Sequence, residues 1–324
     1  MGLEDDSMAV NAPAIIKAKK PQAGKAARHE GLVFWICVAP WIVGFILFQL
    51  GPMLASLVIS FTKWDILSAP EAVGLRNYVF MFTRDPDFWQ ALKVTFTFSI
   101  FSIPLQILVG LFLAVLLNEA TKGISIFRTI FYLPSVVASV AAAVLWTWIF
   151  NPVYGPINGF LGLFGIKGPE WLLDPKFALS ALIIMSVWGI GGQMLIFYAG
   201  LKGIPKSLYE AAEIDGAGTV ARFFKVTLPM LSGTLFFNFV TSLIGSFQTF
   251  DSAYIIGTAR AGTIGAPEKS TLFYMLYAFD SAIKQQRMGY ASALGWVLFI
   301  IIMILTLITL RTQSLWVYNE ADKK

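Results

Sequence analysis

Residues 208–231 read LYEAAEIDGAGTVARFFKVTLPML, a charged island in an apolar chain. Three acids (Glu210, Glu213, Asp215) precede two bases (Arg222, Lys225), with an alanine pair and two glycines between them. Just upstream, Pro205 disfavours helix in the residue before it and suits a first helical position. Gly216 suits the left-handed position that ends a helix. About three turns of helix fit between the two. On that helix Leu208, Ala211, Ala212 and Asp215 share a face at i, i+3, i+4 and i+7. The face is small at its centre, so another protein's backbone can approach closely, while Glu210 and Glu213 flank it. Thr219 is placed to cap a second short helix through Arg222 and Lys225. Leu228-Pro229 then breaks the chain. A helix this short is marginal alone in water. The island therefore reads as a docking element for a soluble partner.

What surrounds it is membrane-like. The 324 residues are 57% hydrophobic and 13% charged, against about 25% charged in soluble domains. Mean hydropathy is +0.70. Spanning a bilayer takes about 20 apolar residues in a helix, and six stretches qualify: 32–61, 92–118, 129–150, 178–201, 231–250 and 290–310. The expected fold is an all-α integral membrane bundle of six spans. Pro40, Gly51 and Pro52 in the first stretch predict a kink or a short extra segment. The net charge of +5 fits basic segments that hold the chain in a membrane, not a nucleic-acid footprint. A single Cys (Cys37) and a single His (His29) exclude an internal disulfide and make no metal site.

Residues 1–30 are polar and carry Lys17, Lys19, Lys20, Lys25 and Arg28. The apolar run after them is longer than a signal-peptide core of roughly 7–15 residues. The expected organisation is a cytoplasmic basic tail (1–30), a membrane domain (31–312) and a cytoplasmic C-terminal tail (313–324), with the docking loop at 202–230. The basic tail sets the orientation, and parity then puts 119–128 and 202–230 inside with it. The 62–91, 151–177 and 251–289 loops face outside. The Gly-rich segment 257–271, GTARAGTIGAPEKST, is expected to project outward.

The span interiors hold no Asp, Glu, Lys, Arg or His. A secondary, ion-coupled carrier is the alternative reading of such a bundle, but it usually needs an ionisable group at membrane depth. Energy for uphill transport would then enter from a partner. It does not enter through an ATP site here. The nearest approach to a phosphate-binding loop, Gly200 to Ser207 (GLKGIPKS), puts Pro205 where a glycine N–H is needed. No catalytic triad is present either.

Glu210-Ala211-Ala212, three residues, Gly216, nine residues, Val226, one residue and Leu228-Pro229 resemble the EAA-x3-G-x9-I-x-LP signature of binding-protein-dependent ABC importer permeases, with Val226 in the Ile position. FRTIFYLPSVVASVAAAVLWTWIFNPVYGPIN (127–158) and MGYASALGWVLF (288–299) resemble the carbohydrate branch of that family, of maltose and glycerol-phosphate type. The likeness covers nearly all of 32–312. It implies type I importer architecture, in which this chain is a non-catalytic permease subunit of a bacterial inner membrane. Tyr209, Glu210, Ala211, Ala212, Asp215, Gly216, Leu228 and Pro229 would form a cytoplasmic coupling helix and its re-entry to the membrane. The implied partners are a second, homologous permease, two ATP-binding subunits that hold ATP and Mg, and a periplasmic solute-binding protein. No cofactor is implied in this chain. The implied cargo is an oligosaccharide, and likeness to alginate-oligosaccharide permeases makes an acidic one a candidate.

A pathway for such a cargo would need amides and hydroxyls. Asn238, Ser242, Gly245 and Thr249 recur at helical spacing in the fifth span, with Gln248 and Asp251 at its outer end. Gln193 and Tyr198 lie in the fourth, near Trp188. Helix packing predicts the same small and hydroxyl residues, so the stripe reads equally as lining or as contact. Trp146, Trp148 and Trp171 read as membrane-interface markers, and Trp188 as interfacial or core rather than ligand.

Overall fold

The computed structural model describes residues 25–119, 123–261 and 264–318. The chain divides after Ala55 into two compact units. The first carries α1 (Lys25–Phe45), a π turn (Ile46–Leu50) and the start of α2 (Gly51–Ile59). Residues 29–59 make one apolar helix long enough to cross a membrane. The π turn explains how Pro52 is tolerated. Proline cannot donate to the carbonyl one turn back and its ring crowds it. Widening the turn just ahead, where Gly51 N–H reaches Ile46 O, opens the register.

The second unit begins with a short antiparallel pair, β1 (Thr62–Lys63) and β2 (Glu71–Ala72), and α3 (Arg76–Arg84). Helix α4 (Pro86–Glu119) is long and unbroken. A bent pair follows: α5 (Ile124–Val136) meets α6 (Ser139–Ile149) at 100°. After α7 (Pro156–Leu163), α8 (Pro175–Trp188) and α9 (Gly191–Gly203) are bent by 48°. Next come α10 (Lys206–Ile214), α11 (Thr219–Arg222), a second π turn (Phe223–Thr227) and α12 (Leu228–Met230). Helix α13 (Ser232–Phe247) leads to α14 (Asp251–Ala261), α15 (Tyr274–Ile283) and the long α16 (Met288–Trp316). The segments on either side of Leu231 are bent by 64°. Three helices are long enough to span unaided, and each bent pair completes one further span, giving six.

Two helices start alike. Asp85-Pro86 opens α4 and Asp174-Pro175 opens α8. In each the carboxylate accepts backbone N–H groups of the first turn: Asp85 from Asp87 and Phe88 (3.0 and 3.2 Å), Asp174 from Lys176 (2.9 Å). The proline adds a preset φ where its missing N–H costs nothing.

Helix α4 is apolar nearly all round, as a helix between protein and lipid should be. Its inner face feeds three buried clusters. Phe88 and Ile103 pack with Tyr274, Tyr290 and Leu294. Val94 and Phe98 pack with Trp146, Leu182 and Phe273. Leu111, Ala114 and Leu117 pack with Met194, Phe197 and Leu231. Phe101, Leu108, Phe112 and Leu116 are exposed on the same helix. Trp146 is thus core, not a membrane-interface marker: its ring stacks beside Phe150 at 5.0 Å.

The end of the bundle where α4 begins is tied by Asp85. Its carboxylate accepts from the hydroxyls of Tyr277, at 2.5 Å, and Tyr290. One buried side chain thereby joins the starts of α4 and α16 to α15. Burial, with the carboxylate beside it, raises the Tyr277 pKa and keeps its hydroxyl a donor. Gly289 completes the junction, because a Cβ there would collide with the Thr62 carbonyl. The segment 264–271 does not project as its composition predicts. Only Glu268 and Lys269 of it are exposed. Thr271 bonds back to Gly265 and Ala266, and Lys269 pairs with Asp87 on α4. The part of that loop at 262–263 lies outside the described residues.

Asp85→Ala is expected to strand two buried hydroxyls and two helix N–H groups, costing on the order of 3 kcal/mol. The thermal midpoint in detergent should fall clearly, and fall less for Asp85→Asn, which keeps an acceptor. Equal midpoints for all three proteins would contradict this assignment.

Candidate functional site

The charged island folds largely as its residues dictate. Helix α10 begins right after Pro205 and ends at Ile214. Gly216 sits at φ 78°, the left-handed conformation expected of it. Glu213 O and Ala212 O then accept from Gly216 and Ala217 N–H, closing the helix end (3.0 and 2.9 Å). Tyr209 is half-buried and its hydroxyl meets Thr227 Oγ1 at 3.0 Å, fastening α10 to the end of the second π turn. Arg222 pairs with Glu213 at 3.1 Å, bracing α11 against α10.

Two local expectations are corrected. Thr219 is the first residue of α11, not its cap; Gly218 holds the cap position and no side chain bonds there. Leu228-Pro229 does not break the chain. The π turn ahead of Pro229 absorbs the missing N–H, as at Pro52, and the bend falls at Leu231. Leu228 packs against the cluster around Met194 and Phe197, and Pro229 is half-buried.

The outward side of this element is unlike a solvated loop. Glu210, Ala211 and Asp215 are exposed, while Ala212 is half-buried beside Tyr209. Around them Ile214 is 87% exposed, Val220 71% and Phe224 60%, with Leu208 exposed as well. The Glu210 carboxylate makes no hydrogen bond or ion pair among the described residues. Apolar and acidic groups are thus presented together on a rigid, short helix.

A second feature lies between the bent spans. A cavity of about 480 Å³ is bounded by the α5–α6 bend, the α8–α9 bend, the outer end of α13 and one face of α4. Trp188, Ser242, Gln248 and Thr249 line it, as does Gly245. Gln193 adjoins it, donating from Nε2 to Ser242 Oγ at 3.0 Å. Two other expected lining residues, Asn238 of the stripe and Tyr198 of the fourth span, do not take part. Asn238 is 1% exposed and bonds Thr234 O on its own helix at 3.0 Å. The Tyr198 ring lies under the Arg128 guanidinium at 4.3 Å, away from the cavity. Sequence reading missed Gln106, Ser135, Ser139 and Ser186 in the lining. Ser139 donates to Asp251 Oδ2 at 2.6 Å, joining the α5–α6 bend to the start of α14. A proline in an apolar run, Pro134, was the only local sign of that bend. The lining carries amides, hydroxyls, a Trp face and one acid, and no cation. It is suited to hydrogen bonding a neutral, hydroxyl-rich solute.

Residues 106–316 match the family described as binding-protein-dependent transport system inner membrane component. The chain belongs to this family. The permease is 46% identical to a probable ABC transporter permease protein, YesP, of Bacillus subtilis, over 93% of this chain and 96% of the relative. It is 36% identical to the lactose transport system permease protein LacF of Rhizobium radiobacter, over 86% and 93% of the two chains. It is also similar in fold to a chain in the crystal structure of a bacterial ABC transporter involved in the import of the acidic polysaccharide alginate. That match has a TM-score of 0.77 at 21% identity and covers 90% of this chain and 97% of the other. A related structure holds the same transporter type with an alginate pentasaccharide-bound periplasmic protein. The chain is therefore an ABC importer permease, a non-catalytic multi-pass subunit of the inner membrane.

Gly245 lines the cavity and has open space where a side chain would go. Gly245→Trp in this permease is expected to fill the cavity and cut uptake at least tenfold while membrane levels stay normal. Undiminished uptake by that variant would remove the cavity from the pathway.

Proposed function

We propose that this permease forms half of an alternating-access pathway for an oligosaccharide and takes its driving force from ATP hydrolysed by partner subunits. The observation that carries the reading is the exposed α10 element. It offers Glu210, Ala211, Asp215 and Ile214 outward while Tyr209, Leu228 and the Arg222–Glu213 pair hold it to the spans. A helix fastened in this way moves with α9 and α13 as one body, so closure of an ATPase around it becomes a swing of the spans. Its two ATP-binding partners, a second and different permease, and a solute-binding protein delivering cargo on the opposite face complete the assembly. Both termini lie on the cytoplasmic side with α10.

The cargo reading rests on the cavity. Its amides and hydroxyls can bond sugar hydroxyls, and the Trp188 ring can cover an apolar C–H face. With no Lys or Arg in the lining, selection of an acidic oligosaccharide of alginate type would fall to the solute-binding protein and the outer loops.

Glu210→Lys is expected to weaken ATPase docking and stop transport while leaving insertion intact. Tagged chains purified gently from native cells should lose the ATP-binding subunits in the variant and keep the second permease. Normal uptake by Glu210→Lys would refute the coupling role. For the cargo, a neutral glucan oligomer and an acidic oligouronide should compete unequally for uptake; equal competition would leave the acidic cargo without support.

A further inference from the structure

A groove of about 690 Å³ runs between α4 and α8 on the side of the bundle away from the cavity. Its floor is apolar: Val94, Phe101, Leu105, Leu179 and Ile184 line it. Phe101 and Ile184 are exposed there, on helices long and apolar enough to cross a membrane, alone for α4 and with α9 for α8, so the floor is open along the spans. At the end where both helices begin, the lining changes to Lys93, Lys176 and Ser270.

Three facts about that end point to an anion. Lys93 and Lys176 are both exposed, and neither forms an ion pair among the described residues. The nearby carboxylates are already engaged: Asp87 with Lys269 and Asp174 with the Lys176 backbone N–H. Ser270 Oγ is buried and has no hydrogen-bond partner, which a buried hydroxyl rarely lacks. The groove also has the right length. Lys93 and Leu105 lie twelve residues apart on unbroken α4, about 18 Å along the axis. That is close to the depth of one leaflet in a hydrocarbon core about 30 Å thick.

We propose that this groove is a binding site for an anionic phospholipid. Its phosphate lies between Lys93, Lys176 and the Ser270 hydroxyl, and an acyl chain runs down the floor to Leu105. A free anion would leave the apolar floor without a purpose. A second polypeptide packed on the floor would bury two unpaired ammonium groups, which is costly.

The transporter complex, stripped of lipid in detergent, would be offered equimolar phosphatidylglycerol and phosphatidylcholine with identical acyl chains and weighed by native mass spectrometry. The wild type should retain phosphatidylglycerol in preference by about tenfold or more, as two lysines beside an anionic headgroup provide. Lys93→Gln with Lys176→Gln should bring the ratio near one. Ile184→Trp keeps both lysines but obstructs the floor, and should reduce retention of either lipid. Size-exclusion profiles restrict the comparison to folded complexes. A photo-crosslinking residue in place of Phe101 should capture lipid. Equal retention of the two lipids by the wild type, a preference that survives in the double lysine variant, or capture of a polypeptide at Phe101 would each overturn the proposal.

Discussion

Three buried clusters close around α4, marked by Phe88, Phe98 and Leu117; the first two overlap along its first half and the third lies toward its end. The rest of the second unit depends on this. Helices α13, α15 and α16 pack in the first cluster, α6 and α8 in the second, and α9 in the third. Because α4 is unbroken, its neighbours absorb the irregularity. In hydrocarbon every backbone group needs a partner within the protein. The breaks at Val137, Gly189 and Leu231 are therefore kept short, and several buried hydroxyls bond back to their own helix. Thr95 and Ser99 on α4 do so, donating to Ala91 O and Thr95 O at 2.9 and 2.8 Å. Thr95 Oγ1 in turn accepts from Tyr274 N–H at 2.9 Å, so the hydroxyl serves both helices.

Bending three spans around a straight one produces two surfaces with different chemistry. Toward the inside, the bends expose short polar stretches that bound the cavity with Ser135, Ser186 and Thr249. Toward the outside, α4 and α8 leave an apolar groove. The two surfaces share α4, whose Phe98 faces the cavity while Phe101, three residues on, faces the groove. The charged island lies at the opposite end of the spans from Asp85.

Much of this was legible in the residues. The number and order of the spans followed from apolar length alone, and the α10 boundaries followed from Pro205 and Gly216. The starts of α4 and α8 at Pro86 and Pro175 lie ahead of the spans expected from 92 and 178, because the polar Asp-Pro openings fall outside the apolar runs. The bends were not legible, because a proline in an apolar run has the same composition whether the helix kinks, widens or stops. Pro134 and Pro229 each lie just ahead of a bend, of 100° and 64°, whereas Pro52 follows a π turn inside one continuous apolar helix. The polar stripe on the fifth span failed in part for a related reason. Helical spacing places Asn238 and Ser242 on one side, but only the neighbouring spans decide which of them meets open space. The groove between α4 and α8 had no sequence signal, since it joins residues at least 70 apart along the chain.

The central claim is that this chain transports with energy from ATP, not from an ion gradient. The most direct test is to purify it with its partners, reconstitute the complex in sealed vesicles, and follow labelled oligosaccharide with its binding protein present. Uptake that requires ATP on the α10 side, and that persists when all ion gradients are collapsed by ionophores, is the result expected. Uptake without ATP that vanishes with the gradient would make the chain a secondary carrier and contradict the account.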